Sequence, residues 1–375
     1  MKNNPLRQLA AFGQSVWLDY IRRDLIVSGE LRHLIEDDGL CGLTSNPAIF
    51  EKAIAGSPDY DADIHTLAAE GKSALAIYEA LSQQDVQGAA DVFRPVYDRT
   101  DGLDGYVSLE VNPHLARDTH GTILEARRLW NSLGRPNVLI KIPATTEGLP
   151  AIQQLISEGI NVNVTLIFGL PRYRQVTEAY LAGLEARIAQ GHPLKRVASV
   201  ASFFMSRIDA LVDARLDPLI AHGGPAGVFA QAVRGQVAIA HAKLAYHACR
   251  DIFGTFRFQP LAKAGGRVQR LLWASTGTKN PADSDIKYVE ALVGPDTINT
   301  IPIETLNAYR DHGTPLARLE SQVNEAARIL RQLPELGIQL DTVTQQLEDE
   351  GIEKFKQPFD KLIAILSKPP DRNLR

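Results

Sequence analysis

The chain holds only two cysteines in 375 residues, Cys41 and Cys249. That is too few for a disulfide framework and fits a reducing cytosol. A dominant charge is missing too: 40 Lys and Arg against 44 Asp and Glu leave a net charge of −4. Such a balance gives no basic footprint for nucleic acid, and no run of like charges marks an interaction tail. No stretch approaches the roughly 18 apolar residues of a membrane span. The opening "MKNNPLRQLAAFGQS" has neither the apolar core nor the cleavage pattern of a secretory signal. Together these absences point to a soluble cytoplasmic protein. The nine histidines include no HExxH, and His241 and His247, six apart on an expected helix, do not share a face. "AGGRVQ" (264–269) is glycine-rich but completes no phosphate-loop or dinucleotide pattern. No metal and no organic cofactor is expected. Fixed repeats, low-complexity segments and Pro/Ser/Gly linkers are likewise missing.

What is present is architecture. With 45% hydrophobic and 22% charged residues the chain buries a large core. Eight short β-rich runs recur, each ending in small or polar residues: 15–19, 39–45, 106–111, 137–142, 160–168, 196–204, 270–276 and 297–303. Helical patterns separate them, among them "EARRLWNSL", "GLPAIQQLISEG", "PRYRQVTEAYLAGLEARIAQ" and "GVFAQAVRGQVAIAHAKLAYHACRDIF". This alternation predicts a (β/α)8 barrel, with a doubly wound open sheet as the second choice. A minimal barrel takes about 250 residues. The surplus falls in helical elaborations at about 51–104, 208–268 and 304–375 of what reads as one domain spanning 1–375. The last of these contains "PLARLESQVNEAARILRQL" and "LDTVTQQLEDEGIEKFKQPFDKLIAIL", both with helical periodicity.

Side-chain alternation along the strands then picks out polar residues. In "NVLIKI", Val138, Ile140 and Ile142 suit the helix layer, which turns Leu139 and Lys141 toward the barrel interior. By the same test Trp17 and Asp19, Ser108 and Glu110, and Asn161, Asn163 and Thr165 point inward, while Val162, Val164 and Leu166 point out. Asn46, just after the second strand, and Ser202, late in the sixth, join them. Active sites of this fold lie at the C-terminal ends of the strands, so the polar set converges where chemistry is expected.

Lys141 has two readings. It forms a structural ion pair with Asp19 or Glu110, or it is an imine-forming nucleophile. An isolated buried pair is a weak source of stability, which leaves the whole polar cluster unexplained. As a nucleophile a free lysine is handicapped: with a pKa of about 10.4, about one in 2,500 is neutral at pH 7. Desolvation favours the neutral amine, and adjacent carboxylates oppose that shift. Asp19 and Glu110 are either counter-ions or the two proton-transfer groups an imine mechanism needs. Thr165 is equally a strand threonine bonding locally. The threonines of "TTEGLP" (145–150) read as helix caps.

Four segments carry a family resemblance. "GLTSNPAIF" (42–50) contains a Thr–Asn–Pro signature with Thr44 and Asn46, and "VLIKIPATTEG" (138–148) a lysine signature. "GINVNVTLIF" and "SFFMSRID" follow in order. Together they resemble the transaldolases, imine-forming barrel enzymes of the pentose phosphate pathway. The resemblance implies transfer of a dihydroxyacetone unit from sedoheptulose 7-phosphate to glyceraldehyde 3-phosphate, giving erythrose 4-phosphate and fructose 6-phosphate. It implies Lys141 as the imine lysine, Asp19 as acid/base at the cleaved bond, and Glu110 with Thr165 handling the water of imine formation. Thr44, Asn46, Asn163 and Ser202 fall among the substrate contacts, and Arg207 takes the phosphate. One feature departs: "WASTGTKNP" (273–281) lacks the second phosphate-binding arginine common after strand seven, and Lys279 is the nearest cation. The resemblance implies sugar-phosphate partners and leaves a homodimer open. A related Schiff-base aldolase without transfer, and a non-catalytic sugar-phosphate-binding barrel, are the competing functions.

Overall fold

The computed structural model describes residues 4–368. Residues 369–375 of the third expected helical elaboration lie outside that range. Eight strands form: β1 Gln14–Asp19, β2 Gly42–Thr44, β3 Tyr106–Glu110, β4 Val138–Pro143, β5 Val162–Ile167, β6 Ser199–Phe204, β7 Arg270–Ala274 and β8 Thr297–Ile301. Each pairs in parallel with the next, and β8 pairs back onto β1 from Gln14↔Thr297 to Leu18↔Ile301. That last ladder closes the barrel and rules out the open sheet.

The connections around β4 illustrate how the sequence sets the elements. Asp118 caps the helix Thr119–Leu133 by accepting from the Gly121 amide at 2.9 Å. Gly134 ends that helix in the left-handed conformation (φ 55°), and β4 follows. The helix Gly148–Glu158 ends the same way at Gly159 (φ 86°), and β5 follows. Val138, Ile140 and Ile142 are fully buried, each contributing about 1.5–3 kcal/mol relative to exposure. Thr145 acts as a cap: its hydroxyl accepts from the Gly148 amide at 2.9 Å and donates to the Ala116 carbonyl at 2.6 Å.

The barrel is filled in layers. At the N-terminal end Arg270 lies 3.2 Å from the Asp104 carboxylate and donates to Ser15 Oγ at 2.6 Å. Above them the Trp17 indole donates to Asp104 at 3.0 Å. A Cβ at Gly42 would stand 2.5 Å from the Trp17 ring, so β2 needs glycine beside the indole. The next layer up is polar. Pairing sets Asp19 beside Thr44, and Glu110, Lys141 and Asn163 in one row across β3, β4 and β5.

Three expectations change. Leu166 does not continue the outward set of Val162 and Val164. Its φ is 60°, the β5–β6 register shifts between Val164 and Ile167, and Leu166 turns up against Gly351. The expected helix over 227–253 is two helices, Gly224–Val233 and Val237–Phe253, broken at Gly235 (φ 69°), whose amide the buried Asp213 accepts at 2.8 Å. In "PLARLESQVNEAARILRQL" only Val323–Gln332 is α-helical, since Gln322 sits at φ 56° and starts the helix there.

The segment 340–366 is one helix, Leu340–Leu366, as its periodicity predicts. It crosses the C-terminal mouth of the barrel, and we call it the roof helix. Its buried face, Val343, Leu347, Gly351, Phe355, Phe359, Leu362 and Leu366, repeats every three or four residues. Ion pairs fasten it at both ends, Arg172–Glu348 at 3.0 Å and Lys361–Glu51 at 2.7 Å.

Candidate active site

Under the roof helix lies a cavity of about 260 Å3. Its walls include Asp19, Thr44, Asn46, Lys141, Thr165, Ser202, Arg207 and Lys279, eight of the residues expected from the sequence. Lys141 rises from β4 with a side chain only 6% exposed. Its Nζ lies 2.7 Å from Glu110 Oε1, donates to the Ser45 carbonyl at 2.8 Å and sits 5.9 Å from the centre of the Phe355 ring. The ion pair expected of the structural reading is therefore present, with Glu110 and not Asp19 as the partner.

Glu110 stands beside the cavity, lining with Lys141, Thr165, Leu166 and Phe355 a side pocket of about 10 Å3. That is about the room one water molecule needs. Neither Glu110 oxygen accepts an aligned hydrogen bond. Burial pushes its carboxyl above the ordinary range, and the Lys141 charge offsets only part of that rise. Asp19 behaves alike for its own reasons. Burial raises its carboxyl, while the Lys141 charge, the Thr44 hydroxyl and the more distant Lys279 and Arg207 pull it down.

The neutral polar groups divide between cavity and support. Asn46 caps the helix Pro47–Ala55, its Oδ1 accepting from the Ile49 amide at 3.0 Å, which leaves the amide nitrogen for the cavity. Thr44 donates to Asp19 Oδ1 at 2.7 Å. Ser202 donates to Asn163 Oδ1 at 2.7 Å, and Asn163 donates to Ser108 Oγ at 3.0 Å. Asn163 is thus engaged below the cavity wall and holds Ser202 in place. Thr165 Oγ1 is buried with no partner among the described residues.

Arg207 follows β6 with its guanidinium 5.6 Å from the centre of the Phe204 ring. Its Nη1 is sealed from water without a partner among the described residues, and burial lowers its pKa. Leaving a buried charged donor unsatisfied is costly. Two buried polar groups without a partner among the described residues, at Thr165 and Arg207, and the buried Glu110–Lys141 pair gather around one space, which marks a binding site better than any of them alone. Lys279 is exposed at the same mouth and makes no ion pair among the described residues. His241, by contrast, is a core histidine. It packs edge-on to Phe203 with its pKa pushed down to about 4 by burial.

Comparison with known proteins decides the family. A family model described as transaldolase/fructose-6-phosphate aldolase matches residues 16–366. A protein named transaldolase 2 from Nostoc punctiforme is 50% identical over 371 residues, covering 98% of this chain and 97% of its own. One named transaldolase from Trichodesmium erythraeum is 48% identical over 370 residues, with the same coverage. Another so named, from Saccharopolyspora erythraea, is 46% identical over 371 residues and 99% of both chains. The chain belongs to the transaldolase/fructose-6-phosphate aldolase family.

The site of this family member also has walls that the sequence reading did not single out. Phe204 and Thr300 continue the inward alternation of β6 and β8 and were open to the same test that found Asp19. Lys52 lies on the helix capped by Asn46. Lys354 and Phe355 come from the roof helix, whose apolar spacing is visible in sequence but whose docking place is not.

Proposed function

We propose that this chain is a transaldolase, moving a dihydroxyacetone unit between sugar phosphates through an imine on Lys141. The observation that carries the reading is the position of the Lys141 amine. It lies 2.7 Å from a carboxyl raised by burial, in a cavity shared with Asp19 and an unpaired arginine.

In such a site Glu110, whose carboxyl burial raises and which lies 2.7 Å from the Lys141 amine, takes a proton from the Lys141 ammonium. The neutral amine adds to the C2 carbonyl of the ketose phosphate. Glu110 then returns its proton to the carbinolamine hydroxyl, which leaves as water through the side pocket beside Thr165, and an iminium remains. Asp19 next removes the proton from the C4 hydroxyl. The C3–C4 bond breaks, its electron pair flows into the iminium to give an enamine, and the phosphorylated aldehyde departs. An incoming aldose phosphate is attacked by the enamine carbon, and Asp19 gives its proton to the new alkoxide. Water then re-adds with Glu110 as base and frees Lys141.

Arg207 and Lys279 hold the phosphate of both aldehydes, one replacing the other at a single site. Asn46 and Ser202 hold the hydroxyls of the three-carbon unit, with Asn163 steadying Ser202. Phe204 and Phe355 keep water from the enamine, which favours transfer over release of free dihydroxyacetone. The same reading takes residues 1–375 as one catalytic unit working in the cytosol, supported by two free thiols, Cys41 and Cys249. A homodimer is compatible with it.

The test is borohydride reduction with fructose 6-phosphate, followed by peptide mass spectrometry. A three-carbon adduct on the Lys141 peptide is expected, and Lys141→Arg should show none because guanidinium stays protonated. An adduct on a different lysine would overturn the assignment. Formation of free dihydroxyacetone at equal rates with and without an acceptor aldose phosphate would favour an aldolase instead.

A further inference from the structure

Thr300 takes no part in the reaction just described, yet its hydroxyl is tied to the group that does. Thr44 Oγ1 lies 2.7 Å from Asp19 Oδ1 and 2.6 Å from Thr300 Oγ1. Both threonines are 2% exposed, so water does not satisfy them in passing. A threonine hydroxyl carries one proton and two lone pairs. An ionised Asp19 only accepts, so the Thr44 proton goes to Oδ1. The 2.6 Å contact on the other side then requires Thr300 to donate into a Thr44 lone pair. The order Thr300 to Thr44 to Asp19 follows from counting protons. The three residues stand on β8, β2 and β1, with β1 hydrogen-bonded to both of the others, so the ladder fixes their spacing.

We propose that Thr300 is a positioning residue which, through Thr44, locks a proton onto Asp19 Oδ1 so that Asp19 works through Oδ2 with a set basicity. The proposal rests on the reading of Asp19 as the acid/base of carbon–carbon cleavage. Donation from Thr300 polarises the Thr44 hydroxyl and strengthens its bond to the carboxylate, as linked hydrogen bonds do at low dielectric. It also stops the Thr44 proton from swinging to another acceptor. With Oδ1 occupied, the substrate hydroxyl has one oxygen to use. The charges facing Asp19 are Lys141 on β4, Arg207 after β6, Lys279 after β7 and, opposing them, Glu110 on β3. All four remain when Thr300 is changed, so a shift in the Asp19 titration isolates the relay. Burial already drives the Asp19 carboxyl up, and losing support for its one neutral hydrogen bond drives it further.

Thr300→Val removes the hydroxyl and keeps the shape; Thr300→Ser keeps the hydroxyl. The valine variant is expected to lower kcat about threefold to tenfold, the size of one neutral hydrogen bond. KM should stay within about twofold, since Thr44 spends its proton on Asp19 and Thr300 spends its own on Thr44, which leaves neither wall hydroxyl a proton for the substrate. The acid limb of the kcat profile should move up by about half a pH unit, the borohydride trapping rate should stay at the parent value, and serine should restore both. If the valine variant does not fold, Thr300→Ala reads the same quantities. An unmoved acid limb, a serine variant no better than valine, or trapping that slows in step with kcat would each overturn the proposal. Asp19→Asn run alongside separates the two readings. If it leaves cleavage intact, the role of Asp19 falls. If it slows cleavage while Thr300→Val matches the parent, only the relay falls.

Discussion

Replacing the two phosphate cations one at a time should give unequal losses, because they differ in burial. Arg207 has a sealed, unpaired Nη1 and stacks on Phe204, whereas Lys279 is exposed. Two unit charges 4 Å apart attract by about 1 kcal/mol in water and about 4 kcal/mol at the effective dielectric of a protein surface. A phosphate dianion at Arg207 is read at the stronger end, and forked hydrogen bonds add to it. Arg207→Gln is therefore expected to lower kcat/KM for fructose 6-phosphate about 100- to 1,000-fold, or about 3–4 kcal/mol. Lys279→Ala, screened by solvent, should lower it only about fivefold to tenfold. The assay compares kcat/KM for fructose 6-phosphate and for unphosphorylated fructose at about 0.1 M and about 1 M salt, where the Debye length falls from about 10 to about 3 Å. Salt should erase most of the Lys279 effect and little of the Arg207 effect, and fructose should report neither. Equal losses on both sugars, or a lysine change as damaging as the arginine change, would refute this account of the mouth.

Three shorter predictions concern the floor and the core. Asp19→Asn should still form the trapped imine at the parent rate but cleave slowly, while Glu110→Gln should slow the imine itself; rapid-quench trapping scores both, and the reverse pattern would exchange their roles. Asp19→Asn should also stabilise the fold at neutral pH. A carboxyl raised in the folded state stabilises only at low pH, where it is protonated, and that stability is lost as pH rises through the raised value. The variant's Tm advantage at pH 7 should therefore shrink as pH falls and vanish once pH is below the ordinary carboxylate range, and melts showing the opposite trend would refute the sign. Gly42→Ala forces a methyl to within 2.5 Å of the Trp17 indole; urea denaturation should show a loss of about 1–3 kcal/mol, and an unchanged midpoint would mean that the indole has room to move.

Much of this site was legible in the alternation of a few strands. Lys141 against Ile140 and Ile142 gave its direction without any knowledge of neighbours, because a strand has only two faces. Asp19 and Glu110 followed for the same reason. Closure was not legible, since the β8–β1 ladder joins residues nearly 300 positions apart and leaves no local mark. Leu166 defeated the rule that found Lys141. Nothing in "VTLIF" announces a backbone at φ 60° or a Leu166 side chain lying against Gly351. Asn163 was placed correctly in its row, but sequence cannot say that Ser202 and Ser108 occupy its amide. Phe355 shows the same limit from the other side. Its helix was read to the residue, but periodicity names the buried face of a helix and not what that face will meet.

The roof helix gives the lysine a cover that is separable from the barrel. β8 is complete at Ile301, and the roof begins only at Leu340. The amine, the carboxylates and the two phosphate cations all come from the barrel strands and the segments just after them, and the roof helix adds their cover. Wetting of the lysine is then expected to follow local opening of this one helix, at a smaller cost than unfolding the sheet. Amides of 340–366 should accordingly exchange hydrogen sooner than those of β4, and reduction of the imine onto Lys141 should slow the first set while leaving the second unchanged. In mechanical terms the barrel is a vessel and the helix its lid: a substitution that loosens the lid is expected to shorten the life of the enamine more than it lowers the melting point of the vessel.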